Sequence, residues 1–245
     1  MNLSATTSSI SLGGVDGATL NASGVAGTGG AATGQGGSIV ISSTASTIGT
    51  NGALRLYADG QGSVSRSGAS GGDGLAGSIS LATLGDSRGL STISSPTLIL
   101  RAKGMGGDGS FSGTAGVDSG AGGSAKGGTI SLATAVDGGV ISAADFVADA
   151  TALSGSGGSG HRDPSTGLGK GGAGGLATGG TINVNTIAAS SGTGAGGYNF
   201  GTALADASAR GGFGGAGDDG FVPGQAGNGG NALGGSIQMQ FDQGG

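Results

Sequence analysis

A short alternation of apolar and polar residues recurs along the chain. Each copy opens with Gly, continues with Ser or Thr, Ile and a middle residue, and closes on an apolar residue; the copies span residues 37–41, 77–81, 128–132, 180–184 and 235–239. The middle residue is polar except at Val40, and residues 9–12 form a degenerate first copy. Alternation with a period of two is typical of a strand with one buried face. We therefore predict one strand per copy and one buried stack, formed by Ile39, Ile79, Ile130, Ile182 and Ile237.

A second strand-like motif follows each first one. We align its copies on Ala22, Ala58, Ala102, Ala152 and Ala209. The residues two and four positions before each alanine are then apolar, and those one and three positions before it are mostly polar. This parity predicts a strand with one buried face, on which Leu56 stacks with Leu100. On the outer face it places Tyr57 beside Arg101, and Asp59 beside Lys103.

A weaker apolar element lies between the two motifs, at residues 46–48, 91–93, 140–142 and 186–187. Each repeat therefore holds three short strands, and no stretch has the apolar stripe with capping residues that predicts a helix. A strand repeat that cannot bury its own face must stack on its neighbours.

The predicted fold class is therefore all-β, a parallel β-solenoid (β-helix) of about five repeats with long glycine-rich arms. It forms a single domain, residues 1–245, with repeats at residues 1–36, 37–76, 77–127, 128–179 and 180–234 and a partial last repeat at 235–245. A disordered low-complexity chain is the alternative, because Gly and Ser are so abundant.

The glycine-rich arms follow each second strand, at residues 24–37, 60–77, 104–128, 155–180 and 211–235. Glycine often falls at every third residue in them, as at Gly211, Gly214, Gly217 and Gly220. A period of three matches the polyproline-II-like helix, whose amides are free to pair laterally. We predict ordered polyglycine-II-like arms, with residues 211–230 as three-fold helices and Asp218 and Asp219 turned to solvent. Flexible linkers are the alternative.

Composition narrows the class of protein. Glycine supplies 65 of the 245 residues, but with only 3 prolines the chain is not collagen. Charged residues make up 9% and hydrophobic residues 35%, which is unlike a charge-driven disordered chain. The absence of cysteine excludes disulfides and thiolate chemistry.

Charge and hydropathy bear on the partners. A net charge of −5 with scattered basic residues argues against nucleic acid, because phosphate neutralisation needs a basic patch. No run approaches the roughly 18 apolar residues of a membrane-spanning helix, so we expect no membrane insertion. The first residues lack the features of a signal peptide, so an exported protein would carry its signal elsewhere or use another route.

Few residues are candidates for chemistry. His161 is the sole histidine, and its turn-like surroundings favour an exposed loop residue over a general base. Asp149 and Asp206 share a column of the alignment, which makes them candidates for a calcium site or a catalytic carboxylate pair. The Gly-Gly-Asp-Gly sequences at residues 71–74 and 106–109 lack the tandem run of calcium-binding nonapeptides. We predict no catalytic residue, no enzymatic activity and no cofactor beyond calcium at that aspartate pair.

The strand motifs resemble a known family. Residues 77–83 (Gly-Ser-Ile-Ser-Leu-Ala-Thr) and 127–134 (Gly-Gly-Thr-Ile-Ser-Leu-Ala-Thr) are similar to repeats of bacterial large exoproteins of the filamentous-haemagglutinin and autotransporter-adhesin type. The resemblance covers most of the chain and implies a right-handed parallel β-helix, secretion, and adhesion or fibre building. The arms are longer and richer in glycine than in those families. They resemble instead the polyglycine-II sandwiches of some phage tail-tip adhesins and of a glycine-rich antifreeze protein.

Together these features predict a non-enzymatic structural or adhesive segment of a secreted or cell-surface protein, forming a fibre, stalk or adhesion surface. The expected partners are further copies end to end or neighbouring repeats of a larger chain, and a cell-surface glycan or receptor. A receptor-binding or ice-binding module is the main alternative, although an ice binder would need a regular outer column of Thr. A β-helix polysaccharide-degrading enzyme is a weaker alternative, because 2 Tyr, 6 Phe and no Trp leave few sugar platforms.

Overall fold

The computed structural model describes residues 1–6, 9–13, 16–28, 30–85, 90–135, 138–161, 169–187, 196–217 and 225–240. Within these ranges the regular structure is all β-strand, and we number the strands β1–β23 in chain order. The strands pair in parallel and form four sheets, and each sheet takes strands from successive repeats in sequence order. The predicted all-β, parallel architecture is confirmed for these residues.

Two sheets, which we call the first and second core sheets, carry the long strands. The first contains β1 (Asn2–Thr6), β6 (Ser38–Thr44), β11 (Ser78–Leu84), β15 (Thr129–Ala135), β19 (Thr181–Ile187) and β23 (Ser236–Gln240). The second contains β2 (Ser9–Ser11), β3 (Ala18–Asn21), β7 (Thr47–Gly49), β8 (Leu54–Tyr57), β12 (Ser91–Arg101), β16 (Gly139–Asp149) and β20 (Gly197–Asp206). In the second sheet the short strands β7 and β8 pair with the two halves of β12.

The other two sheets are narrow and lie at the bases of the glycine arms. The outgoing sheet contains β4 (Gly24–Val25), β9 (Gly60–Gln61), β13 (Gly104–Met105), β17 (Ala152–Leu153) and β21 (Ala209–Arg210). The return sheet contains β5 (Gly34–Gln35), β10 (Gly74–Leu75), β14 (Ala125–Lys126), β18 (Ala177–Thr178) and β22 (Ala232–Leu233). Each arm therefore leaves the core through one sheet and comes back through the other.

The predicted isoleucine stack is confirmed. The register of the first core sheet matches, from one strand to the next, Ile39, Ile79, Ile130, Ile182 and Ile237. Ile130 is fully buried, whereas Ile237 is 45% exposed. Ile237 is exposed because β23 is the last strand of its sheet and no described strand covers it.

The second core sheet corrects part of the alignment. Leu56 stacks with Leu100 as predicted, but the next members of that column are Ala148 and Ala205. Ala152 pairs with Gly104, so the predicted match of Ala152 with Ala102 is wrong by two residues. In this part of the fourth repeat alanine occupies every second position, at residues 148, 150 and 152. The sequence therefore does not indicate which of these alanines matches Ala102. Because the error is an even number of residues, every side chain stays on its predicted face.

One element of the fifth repeat was also misplaced by sequence. Residues 46–48, 91–93 and 140–142 do lie together in the second core sheet. Residues 186–187 instead end β19, where Thr186 pairs with Thr134. The fifth repeat supplies β20 to the second core sheet, with Tyr198 opposite Ile141. The recurring motif covers only the first part of β19. The last residues of β19 were therefore predicted to form a separate strand.

The apolar core lies between the two core sheets. Leu54, Leu98 and Phe146 occupy one column of the second sheet and are buried. The ring of Phe146 stacks on that of Phe200, with centroids 4.5 Å apart and planes 11° apart. Aromatic rings fill the space in the fourth and fifth repeats, where alanine replaces the leucine of the neighbouring column.

Hydroxyl groups line the buried corner between the core sheets. The Ser43 hydroxyl donates to the carbonyl of Ser46 (2.7 Å), and the Ser91 hydroxyl donates to the carbonyl of Ser43 (2.6 Å). In the fifth repeat the Tyr198 hydroxyl donates to the carbonyl of Asn185 (2.7 Å). Burial raises the pKa of Tyr198 to about 12. Hydrogen bonds inside the corner therefore satisfy the hydroxyls of Ser43, Ser91 and Tyr198, whereas the buried hydroxyl of Thr83, which pairs with Ser43 in the sheet, has no hydrogen-bond partner among the described residues.

Candidate functional site

Over the described residues the glycine arms consist of two layers of hydrogen-bonded legs. Each arm has an outgoing leg that continues from the outgoing sheet and a return leg that leads into the return sheet. Outgoing legs of successive arms lie side by side in one layer, and return legs lie side by side in the other. The outgoing legs are residues 24–28, 60–65, 104–111, 152–160 and 209–216, and the return legs are residues 32–36, 69–76, 119–127, 170–179 and 225–234.

Three positions alternate along each leg, and the third arm shows all of them. At the stacking position, the Gly106 N–H donates to the carbonyl of Leu153 in the next outgoing leg (2.8 Å). At the crossing position, the Gly107 N–H donates to the carbonyl of Gly72 in the preceding return leg (2.9 Å). At the outer position, the side chain of Asp108 is exposed. This period of three is the one that the glycine spacing predicted.

Crossing hydrogen bonds join the two layers into one continuous series. In each bond a backbone N–H donates to a backbone carbonyl at 2.8–3.3 Å. The series begins at the Ser63 carbonyl and passes, each residue donating to the one before it, through Gly72, Gly107, Gly123, Gly155, Gly175, Gly212 and Gly230. A second series farther from the core runs through Ser110, Gly120, Gly158, Gly172, Gly215 and Gly227. Each bond links a leg to the opposite layer, so no arm is held by its own residues alone.

Glycine fills most of the stacking and crossing positions, for different steric reasons, although Ser63 and Ser110 hold crossing positions in the second and third arms. A Cβ at the stacking residue Gly106 would lie 2.1 Å from the carbonyl oxygen of Gly123, across the arm. A Cβ at the crossing residue Gly107 would lie 1.8 Å from the carbonyl oxygen of Ser63, in the leg beneath it. Only glycine permits such close approach of two backbones. The underlying pattern is therefore Gly-Gly-X, with X at the outer position.

That pattern sharpens the prediction for residues 211–230. Gly211 and Gly214 line one edge of their leg as expected, with Cβ positions that would lie 2.2 and 1.9 Å from carbonyl oxygens of the return leg. Gly212 and Gly215 line a second edge of the same leg, which a pattern of one glycine per turn does not predict. Residues 218–224, which include Asp218 and Asp219, lie outside the described residues.

Aspartates at outer positions accept amide hydrogens that the layers leave unpaired. Asp73 accepts from the Ser124 N–H (2.8 Å) and Asp108 from the Ser156 N–H (2.7 Å), each donor lying in the next arm. Asp118 accepts in the same way from the Lys170 N–H (2.9 Å). These contacts explain the two Gly-Gly-Asp-Gly sequences as parts of the arm lattice.

The predicted outer column of charged residues is present, with a different pairing. The guanidinium of Arg101 lies 4.4 Å from the centroid of the Tyr57 ring, as expected for adjacent residues. Asp59 forms its ion pair with Arg101 (2.5 Å) and accepts the backbone N–H of Lys103 (2.9 Å). The hydrogen bond from Arg101 to Asp59 raises the pKa of the Arg101 guanidinium. The Lys103 backbone, and not its ammonium group, is therefore the second partner of Asp59.

Asp149 and Asp206 are neighbours in the register of β16 and β20, as the alignment predicted. Each carboxylate is engaged within its own chain segment. Asp149 accepts from the N–H of Thr151 (3.0 Å), and Asp206 accepts from the N–H of Ser208 (2.8 Å). Among the residues that the structure describes, no third acidic or histidine side chain joins them in a metal-binding group.

His161 lies at the far end of the fourth outgoing leg. Its ring meets the edge of Phe111 at a centroid distance of 5.9 Å, and its carbonyl accepts the Gly116 N–H (3.0 Å). These contacts join the tips of the third and fourth arms.

Outer positions form the surface of each layer. On the outgoing layer they include the exposed side chains of Val25, Val64, Phe111, Leu153 and Phe213. One row of this layer reads Val25, Gln61, Met105, Leu153 and Arg210 from arm to arm. The chemistry of the surface therefore changes at every step, although the backbone beneath it is regular.

Comparisons with known proteins give no identity for this chain: no family model, no curated protein and no solved structure matches it. Among the described residues there is also no helix with the length and apolar character needed to cross a bilayer.

Proposed function

We propose that this chain is a non-enzymatic structural segment of a secreted or cell-surface protein. In this proposal the repeats form a parallel β-solenoid, and the arms form a two-layered polyglycine-II-like plate beside it. Such a segment serves as a stiff stalk, a fibre component or an adhesion surface. Its partners are rungs of the same kind, in further copies or in neighbouring repeats of a larger chain.

The observation that carries the proposal is the shared register of core and arms. Strands stack repeat on repeat through Ile39, Ile79 and Ile130, and the arms stack in the same order through Gly72, Gly107 and Gly123. Each repeat is therefore held to its neighbours both through its strands and through its arm. Such a double connection resists bending, as a stiff stalk requires.

The state of the acidic residues supports a non-enzymatic role. Glycosidases need two carboxyl groups that are free to act as acid, base or nucleophile. Here the carboxylates of Asp59, Asp73, Asp108, Asp118, Asp149 and Asp206 each accept a backbone N–H. They are used as structural acceptors.

A receptor-binding role is the second candidate, and the outgoing layer favours it. Its outer side chains include Phe213, 65% exposed, and Val64, 56% exposed. Contiguous apolar groups on a surface are typical of recognition sites, and Met105 and Leu153 are neighbours in one row of this layer. The variation from arm to arm favours a specific macromolecular ligand over ice, whose lattice would require a repeated side chain.

Hydrogen exchange combined with electron microscopy tests the structural proposal. We expect slow exchange for the N–H groups of Ile130 and Gly155, and rod-like particles of uniform width in negative stain. Exchange of both amides within seconds would refute the proposal. So would release of reducing ends from polysaccharides at rates above a boiled control.

A further inference from the structure

The outward side of the second core sheet continues without a break into the outgoing layer. In the third repeat the N–H groups of Ala102, Gly104 and Gly106 donate at alternate residues to carbonyls of the fourth repeat (2.8–3.0 Å), which extends the ladder of β12 into the arm. Side chains that alternate with buried positions therefore stay on one side, from Ile99 through Met105. We call this surface the long face, and it comprises residues 55–64, 97–111, 145–159 and 202–216 of the second to fifth repeats.

Two apolar strips cross the long face from repeat to repeat. The register of the second core sheet places Ile99, Val147 and Leu204 in one column. Closer to the arm tips lie the apolar side chains of the outgoing layer, among them Phe213. Because Leu204 is 62% exposed and Phe213 is 65% exposed, both strips leave apolar area in water that a second surface would cover.

Charge is divided unevenly along the long face. In the second and third repeats basic residues outnumber acidic ones: Arg55, Arg101, Lys103, Asp59 and Asp108. In the fourth and fifth repeats acidic residues outnumber basic ones: Asp145, Asp149, Asp206 and Arg210. Two long faces therefore attract each other when the lower half of one meets the upper half of the other, and they repel each other when like halves meet.

A two-fold axis satisfies this condition when it lies in the interface, parallel to the strands and between the third and fourth repeats. It sets the second repeat of one copy against the fifth repeat of the other, and the third against the fourth, while each column faces itself. Arg101 then faces Asp149 of the second copy. The apolar strips cover each other, and Val64 faces Phe213 at the same outer position of the arms.

The two charged residues of that contact both have groups to spare. The Arg101 side chain is 42% exposed, and its Nε and Nη2 contact Asp59, which leaves Nη1 as a further donor. Asp149 accepts the N–H and the hydroxyl of Thr151 through Oδ1. Among the described residues, no hydrogen bond to its Oδ2 competes with a guanidinium from a second copy.

The contact has the area of a stable interface. Four repeats at about 4.8 Å each span roughly 19 Å. Residues 97–111 extend about 45 Å, at about 3.3 Å per strand residue and 3.1 Å per residue of the three-fold helix. Since the second repeat has a shorter leg, the covered surface is roughly 800 Å² per copy, which equals the area per partner of a standard complex.

We infer that the long face binds the long face of a second copy, with the two stacks opposed, in a closed two-fold dimer. The inference rests on the proposed structural role and names its lateral partner. Paired stacks form a thicker and stiffer stalk, and the ends of each stack stay open to further repeats. The outgoing layer is then a self-association surface and not a receptor site.

Disulfide trapping tests this geometry, because the chain contains no cysteine of its own. Within one copy Val64 and Phe213 are three repeats apart, about 14 Å, which is too far for a disulfide. Across the two-fold axis they face each other. We expect Val64→Cys/Phe213→Cys to form covalent dimers on mild oxidation and each single variant to remain monomeric.

The matched control is Val25→Cys/Phe213→Cys. Val25 is 71% exposed on the same layer, but it belongs to the first repeat, which faces no repeat across the axis. We expect no covalent dimer from this pair. Equal trapping of the Val25 and Val64 pairs would overturn the inference, as would a Val64 pair that stays monomeric.

Sedimentation equilibrium measures the contribution of charge. We expect the native chain to dimerise in the micromolar range, and Asp149→Asn to raise the dissociation constant about tenfold, since each dimer loses two contacts with Arg101. Asp73→Asn is the matched control, because Asp73 also accepts a backbone N–H but lies on the return layer. Equal effects of the two variants, or a native chain that is monomeric at about 100 μM, would overturn the inference.

Hydrogen exchange separates this inference from the proposed function on which it rests. Slow exchange at Ile130 and Gly155 in a chain that does not dimerise would overturn the dimer alone and leave the outgoing layer to a receptor. Exchange of both amides within seconds would refute the proposed function as well. Slow exchange at Ile130 in every variant shows that the cysteine and asparagine substitutions leave the core folded.

Discussion

In the strand core the repeats stack through side chains, whereas in the glycine arms they stack through the backbone. Burial of Ile130 and its neighbours in the core stabilises by removing apolar area from water, at about 25 cal/mol per Å². In the arms each hydrogen bond contributes only about 0.5–1.5 kcal/mol net, and glycine loses more backbone entropy on ordering than other residues. The arms therefore need many bonds made together, and they gain them because the core sets their register.

The largest effect should come from placing a charge in the core. Ile130→Asp buries an unpaired carboxylate in the central isoleucine stack, and we expect a loss of at least about 4–5 kcal/mol in the free energy of unfolding. Urea denaturation followed by circular dichroism measures it. Ser131→Asp, one residue along and on the outer face, is the control and should cost less than about 1 kcal/mol. Similar losses for the two variants would mean that the faces are assigned wrongly.

A methyl group in the arm lattice should separate the arms from the core. Gly155→Ala would place Cβ 1.9 Å from the carbonyl oxygen of Gly107. We expect a loss of roughly 1–3 kcal/mol, as for overpacked sites, together with faster exchange of arm amides and unchanged protection of Ile130. Gly113→Ala is the matched control, because a Cβ there meets nothing within 4 Å. If the two variants exchange alike, close packing does not hold the arms together.

Alkaline pH should destabilise the core through ionisation of the buried Tyr198 hydroxyl. The pKa of Tyr198 rises from 10.0 to about 12 because of burial, so folding favours the protonated hydroxyl. The stabilisation is complete below pH 10, the unfolded value, and is lost as the pH rises towards 12. Urea midpoints measured from pH 9 upwards should fall more steeply for the native chain than for Tyr198→Phe. Parallel curves would show that this hydroxyl is not the responsible group.

The smallest effect should come from the outer charged column. Asp59→Asn removes the ion pair with Arg101, and we expect a loss of about 1 kcal/mol. The loss is small because the Arg101 side chain is 42% exposed and can be solvated, whereas the buried position 59 (6% exposed side chain) would then hold a neutral amide that still accepts the Lys103 N–H. Thermal melts in low and high salt measure this loss, and salt should reduce the difference from the native chain. A loss above about 3 kcal/mol would be typical of a pair with both partners buried and would mean that solvent does not screen Arg101.

The strand core was largely predictable because a period of two is visible wherever the apolar residues are large. Ile39, Ile79 and Ile130 marked their register without ambiguity. The second core sheet was predictable only in its early repeats, where Leu56 and Leu100 stand out. In the later repeats alanine occupies successive inward positions, and Phe146 restores the lost volume from a neighbouring column. A linear alignment does not detect that compensation.

The arms were predictable in their period but not in their partners. Spacing of glycine indicated three residues per turn, because each turn needs at least one close approach. The second glycine of each turn depends on which leg lies beneath, and that follows from the stacking of the arms. The role of Asp73 and Asp108 as acceptors, and of Arg101 as the partner of Asp59, likewise depends on side chains from different repeats.

The local sequence pattern therefore specifies which residues of the strands face inwards and how often the arms need glycine. Both depend on a period of two or three residues. The pattern does not specify which leg of one arm lies against which leg of the next arm. That arrangement requires contacts between residues 48–51 positions apart, as between Asp108 and Ser156 or Asp73 and Ser124.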